Sequence, residues 1–231
     1  MKKRKVAKLM AVVALVGAVG VGGSLALLTA QSETVTNTFT VGKGLHNTDI
    51  NLDEAKVDEN GKEIVGEGAG RTQTNSYNNL EQGDKLDKDP TVTISTTAAD
   101  CYVFALVDGL KENTAIYQVA IDENWMKVTD IPEEVEGQVP AGAELYVYTA
   151  NKIAPTVVQG GLQGEAGLVF DGVKIADDAD LFTPVYGEED QEGVIIDYEP
   201  IDLEQIVVKA CAVQATNNSY DDALKMVKFG D

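Results

Sequence analysis

One histidine, two cysteines and 38 carboxylates are the side chains of this chain from which chemistry could be built. A zinc protease needs neutral imidazoles and a carboxylate base at fixed spacing, as in His-Glu-x-x-His. His46 is the lone histidine and sits in the Gly-rich stretch Gly42-Lys43-Gly44-Leu45-His46-Asn47. It cannot form that site alone, and any Ser/His/Asp or Cys/His arrangement would also have to use it. It reads as a solvated loop residue. Cys101 and Cys211 lie in strand-like segments, away from the cationic settings that activate a thiol. Gly66-Glu67-Gly68-Ala69-Gly70 is a flexible loop rather than a phosphate cradle. Paired carboxylates alone would permit glycoside hydrolysis. A glycosidase cleft is usually lined by aromatics, however, and the one tryptophan, Trp125, reads as core. No catalytic residue, no resident metal and no cofactor is expected. Calcium is the ion the acidic runs would suit best. Asp177-Asp178-Ala179-Asp180 and Glu188-Glu189-Asp190 supply oxygen ligands without the EF-hand spacing.

The elements that would carry these residues begin with an address. Lys2, Lys3, Arg4, Lys5 and Lys8 are followed by an uncharged stretch from Leu9 to Ala30. A positive start, an apolar middle and a small-residue end are the layout of a secretory signal. Ser24-Leu25-Ala26 places small residues, Ser24 and Ala26, where a signal peptidase reads, so residues 1–26 are expected to be removed. The rival reading is a retained anchor, since the uncharged stretch would be about 33 Å long as a helix. Gly17, Gly20, Gly22 and Gly23 weaken a long helix there. Either way the remainder lies outside the membrane, secreted or at the cell surface.

Beyond residue 26 the chain carries 13 basic and 38 acidic side chains, a net charge of −25. Such a surface repels nucleic acid and anionic lipid, so neither is an expected partner. The segment 27–231 has ordinary apolar content and is long enough for one sizeable core. Cys101 and Cys211, about 110 residues apart, could be joined after export or remain separate buried thiols.

The pattern within 27–231 is strand after strand. Val35, Asn37, Phe39 and Val41 share one parity of the β-branched stretch Thr34–Val41, within an arm spanning 27–42. Strands are expected around Ile50-Asn51-Leu52, and Asn60-Gly61 signals a hairpin between Val57 and Ile64-Val65. Residues 66–88 read as a long polar loop. Further strands are expected at Thr91–Thr96, Cys101–Val107, Ala115–Ile121, Trp125–Val128, Glu144–Thr149, Gly167–Phe170, Val173–Ile175 and Ile206–Ala215. Pro184 and the acidic run 187–193 bracket a loop. Cys101–Val107 and Ile206–Ala215 are the most apolar and are expected near the centre, where they could pair antiparallel. Ser219 caps a short helix, with Asp221 and Asp222 in its first turn and Gly230 beyond its end. Some ten strands and one clear helix beyond the signal predict an all-β sandwich.

Several segments resemble the TasA/camelysin family of exported Gram-positive proteins processed by the peptidase SipW. They are Gly22-Gly23-Ser24-Leu25-Ala26, Asn37-Thr38-Phe39-Thr40-Val41-Gly42, Lys88-Asp89-Pro90-Thr91-Val92, Asp100-Cys101-Tyr102-Val103-Phe104, Leu181-Phe182-Thr183-Pro184-Val185 and Ala210-Cys211-Ala212-Val213-Gln214-Ala215. The chain departs from the family at Leu25, Leu27 and Leu28, where members often carry aromatics. The resemblance implies a jelly-roll-like sandwich preceded by a signal helix. It also implies a structural subunit of the biofilm matrix, in which the N-terminal strand of one copy completes the sheet of the next. Its expected partners are therefore further copies of itself, with a signal peptidase during export. The alternatives are a monomeric surface-displayed binding module or adhesin, and, last, a camelysin-like metalloprotease. The lone His46 does not support the protease.

Overall fold

A computed structural model describes residues 44–111, 114–150, 153–186, 195–203 and 205–230. The expected signal segment and signal helix, Ser24 and Ala26, and the arm residues Val35, Asn37, Phe39 and Val41 lie outside the described residues, as do Glu188, Glu189 and Asp190. The described chain is all-β, with twelve strands and two short helices. The strands are β1 (Ile50–Ala55), β2 (Arg71–Thr72), β3 (Lys85–Leu86), β4 (Thr91–Ile94), β5 (Cys101–Asp108), β6 (Tyr117–Gln118), β7 (Trp125–Lys127), β8 (Glu144–Tyr148), β9 (Val173–Ile175), β10 (Phe182–Tyr186), β11 (Ile195–Pro200) and β12 (Val207–Gln214). The helices are α1 (Glu133–Glu136) and α2 (Tyr220–Leu224).

The main sheet has the order β12-β5-β8-β7 and is antiparallel throughout. Its two faces follow the parity of β5. Cys101, Val103, Ala105 and Val107 point to one side and pack with Val92, Ile94 and Ile175 of the smaller sheets and with Phe170. Those sheets have the orders β2-β1-β4 and β3-β9-β6. Phe104 points to the other side and packs with Leu145, Val147 and Val213 under Val135 of α1, Ala223 and Leu224 of α2, and Val227. A strand apolar on both parities is needed for such a doubly covered position, and β5 has that composition. The result is a sandwich-like pair of sheet layers with the two helices roofing the outside of the main sheet. Ser219 caps α2 as its sequence implies, its hydroxyl accepting from the Asp222 N–H at 3.2 Å.

Several elements depart from expectation. β12 pairs with β5 along its whole length, but it lies at the edge of the sheet rather than at the centre. The register places Cys101 opposite Gln214 and Cys211 opposite Phe104. That offset is three residues, an odd number, so the two thiols project from opposite faces and both are free. Of the two arrangements the sequence leaves open, a bridge or two separate thiols, this register fits the second. Gly167–Phe170 is no strand; residues Gly164–Gly167 form a 3-10 turn, and Leu168 and Phe170 make single bridges to Thr91 and Ile121. A Cβ at Gly167 would lie 1.9 Å from the carbonyl oxygen of Val92, so only glycine lets the turn lie against β4. Gly109 closes β5 with φ +82° and would meet the Gln205 carbonyl oxygen at 2.2 Å. Regular pairing in 115–121 is confined to β6, and the polar loop 66–88 contains the two-residue strands β2 and β3.

Pro184 does not open a loop. It lies within β10, which forms a two-stranded ribbon with β11, pairing Phe182 with Pro200 and Pro184 with Tyr198. Phe182, Pro184, Tyr198 and Pro200 therefore share one face, and Thr183, Val185, Asp197 and Glu199 the other. Every residue of β11 is exposed.

Candidate functional site

Among the described residues, a groove of about 840 Å³ lies between β1 and the start of β12. β1 pairs with β4 through Ile50–Asp53 and reaches β2 only at Glu54 and Ala55. Along Ile50–Asp53 its edge away from β4 has no strand partner among the described residues. β12, with β5 on one side, likewise has no strand partner among the described residues on its other side. Two strand edges thus face one groove, whose apolar surface includes Leu52, Tyr77, Leu80, Leu86, Ile206 and Val208. Edges of this kind present unpaired N–H and C=O groups in a row, the template on which another strand pairs.

The polar end of the groove is a network of charges. The Glu54 side chain is 7% exposed and that of Lys88 is 14% exposed, with Lys88 Nζ 2.7 Å from Glu54 Oε2. Asn75 Nδ2 donates to Glu54 Oε1 at 3.0 Å and to the Ala55 carbonyl at 2.7 Å, and Asn75 Oδ1 accepts from the Val57 N–H at 3.2 Å. The Lys88 ammonium lies 5.8 Å from the centre of the Tyr77 ring, whose hydroxyl donates to the Asp87 carbonyl at 3.2 Å. Burial, with the Glu54 charge nearby, pushes the Tyr77 phenol well above its usual range. Arg71 bridges Asp53 and Asp89, its Nη1 2.8 Å from Asp89 Oδ2. These contacts tie β1, β2 and the segment before β4 together around the groove. Removing one partner of a pair as buried as Glu54–Lys88 costs about 3–5 kcal/mol.

The other residues singled out in the sequence lie apart from this groove. His46 is exposed at the start of a 3-10 turn, its backbone N–H donating to Asp49 Oδ2 at 2.9 Å. Trp125 is core: it is buried, its Nε1 donates to the Leu168 carbonyl at 2.7 Å, and its ring meets Tyr148 edge-on. Asp178 and Asp180 border a shallow surface depression, and Asp177 pairs with Lys174 at 2.7 Å. Among the described residues, no three His, Cys, Asp or Glu side chains are grouped to hold a metal ion. Burial pushes the Cys101 thiol up to about 12 and the Cys211 thiol up to about 11. Glu54, Asn75 and Lys88 escaped sequence reasoning because they sit in β1, a polar loop and the Lys-Asp-Pro segment, and no local pattern announces that they meet.

Comparison with family models, with curated proteins and with solved structures returns no match for this chain.

Proposed function

We propose that the chain is an exported structural protein of the cell surface or biofilm matrix, a TasA-type subunit that self-associates by lending its N-terminal arm to a neighbouring copy. Its sandwich is of jelly-roll type and its signal segment is removed at Ala26. The arm residues Val35, Asn37, Phe39 and Val41 enter the groove of the next subunit and add a strand at the open edges of β1 and β12. One observation carries the reading: two strand edges with no strand partner among the described residues border one groove, in a chain whose sequence holds a β-prone segment, Thr34–Val41, ahead of β1. Strand addition of this kind draws affinity from main-chain hydrogen bonds and specificity from alternate side chains. No catalytic step is part of this function.

The test is to purify residues 27–231 and a form beginning at Gly42, and to follow both by light scattering and electron microscopy. The longer form is expected to grow into fibres and the shorter one to stay monomeric. If both stay monomeric at high concentration and in acid, the subunit reading is lost. The exposed ribbon β10–β11 favours a second reading, a monomeric surface-displayed binding module that uses Tyr198 and its neighbours as the contact face. That reading gains if neither form assembles.

A further inference from the structure

Glu54, Lys88 and Asn75 form more than an ion pair with a bystander. A single carboxylate grips an amine on one oxygen and a carboxamide nitrogen on the other, at 2.7 Å and 3.0 Å. The amide is fixed in both senses, because Nδ2 also donates to the Ala55 carbonyl and Oδ1 receives the Val57 N–H. Glu54 is buried and Lys88 nearly so, with the Tyr77 ring beside the amine. An amine, a carbonyl carbon polarised by a backbone N–H and a proton carrier touching both are the components of acyl transfer to nitrogen.

We propose that Lys88 and Asn75 become joined by an isopeptide bond, formed within the folded chain with Glu54 as proton carrier. Glu54 takes a proton from the Lys88 ammonium, and the freed lone pair attacks Cγ of Asn75. The carbonyl electrons move onto Oδ1, where the Val57 N–H donates at 3.2 Å. The carbonyl re-forms, the Cγ–Nδ2 bond breaks, and Nδ2 departs as ammonia with a proton relayed through Glu54. Of the three ammonium protons of Lys88, one stays on the new amide, one leaves with ammonia and one remains on Glu54. The opposite charges of Lys88 and Glu54 are both consumed, and no oxidant or cofactor is required. The bond closes the loop 75–88, which carries one wall of the groove and only the two-residue strand β3.

The experiment is intact mass of the native chain, followed by tandem mass spectrometry of its tryptic peptides. The chain is expected to be lighter than its sequence by one ammonia, and a branched peptide is expected to join Asn75 to Lys88. Lys88→Met and Asn75→Ala should restore the full mass, and Glu54→Gln should slow or abolish the loss. A wild-type mass equal to the sequence mass overturns the proposal whether or not any variant folds. So does loss of water, which would mark a Glu54–Lys88 amide. An ammonia loss that maps to Asn60-Gly61, where a succinimide would form, or that persists in Lys88→Met, overturns it as well.

Discussion

Single side chains decide more here than their number suggests. Cys101 and Cys211 sit on neighbouring strands, yet an odd register offset turns them to opposite faces of one sheet. With their thiols pushed up to about 12 and about 11, both are protonated and unreactive at neutral pH. The native chain is therefore expected to keep two free thiols, to resist alkylation, and to react at both positions once unfolded. Intact mass without reductant checks this, and a mass two hydrogens low with no alkylation after unfolding would count against it. Gly167 is the second such residue. A methyl group there meets the Val92 carbonyl, so Gly167→Ala is expected to cost about 1–3 kcal/mol, read as a lower urea midpoint at unchanged slope. Neither outcome is legible from residue type. The sequence places both cysteines in strands, but the face each presents depends on a register that only the paired chain defines.

At the scale of elements, alternation and runs of β-branched residues were enough to locate β1, β4, β5, β7, β8, β9 and β12, and Ser219 was enough to locate α2. They failed where backbone pairing runs against local preference. β10 contains a proline, and β10 and β11 flank an acidic run of turn-forming residues, which reads as a loop. The ribbon forms all the same, with a bulge after Val185 and a face of aromatic and proline residues left uncovered. Because Ile196 is 60% and Tyr198 57% exposed, replacing both with serine is expected to shift stability by no more than about 0.5 kcal/mol per site. The same double variant should bind less of a hydrophobic dye. A large drop in melting temperature would instead show that the ribbon packs on the body of its own subunit. The segment 167–170 failed for the converse reason: its apolar residues serve burial of Phe170 beside β4, without forming a strand.

For the molecule as a whole, charge sets opposing responses to acid. Glu144 is partly buried, which raises its pKa, but hydrogen bonds from Lys127 and Tyr146 outweigh this and hold it below its ordinary 4.5. Asp222, bonded by the Ser219 hydroxyl, and Asp58, bonded by the Lys62 N–H, are also held low. A carboxylate depressed by folding stabilises the fold above its unfolded pKa, and that contribution is lost as pH falls through the folded value. The urea midpoint is therefore expected to fall as pH drops below about 4.5. Over the same window, the net charge of −25 beyond residue 26 shrinks and copies repel one another less. Association measured by light scattering should quicken while monomer stability declines, and added salt at neutral pH should quicken it without that decline. Association unaffected by either would show that charge does not hold the copies apart.

The pairing of β5 with β12 has a consequence for how the molecule comes into being. Residues 101–108 lie at the heart of the protein, and their partner, 207–214, is synthesised about a hundred residues later. Until that distant segment arrives, one flank of the most apolar strand stays bare and the roof of α2 is missing. A chain with this topology matures late and all at once, so a ribosome or a narrow translocation channel would handle it as an open thread whose exposed middle must be shielded before its final turns arrive.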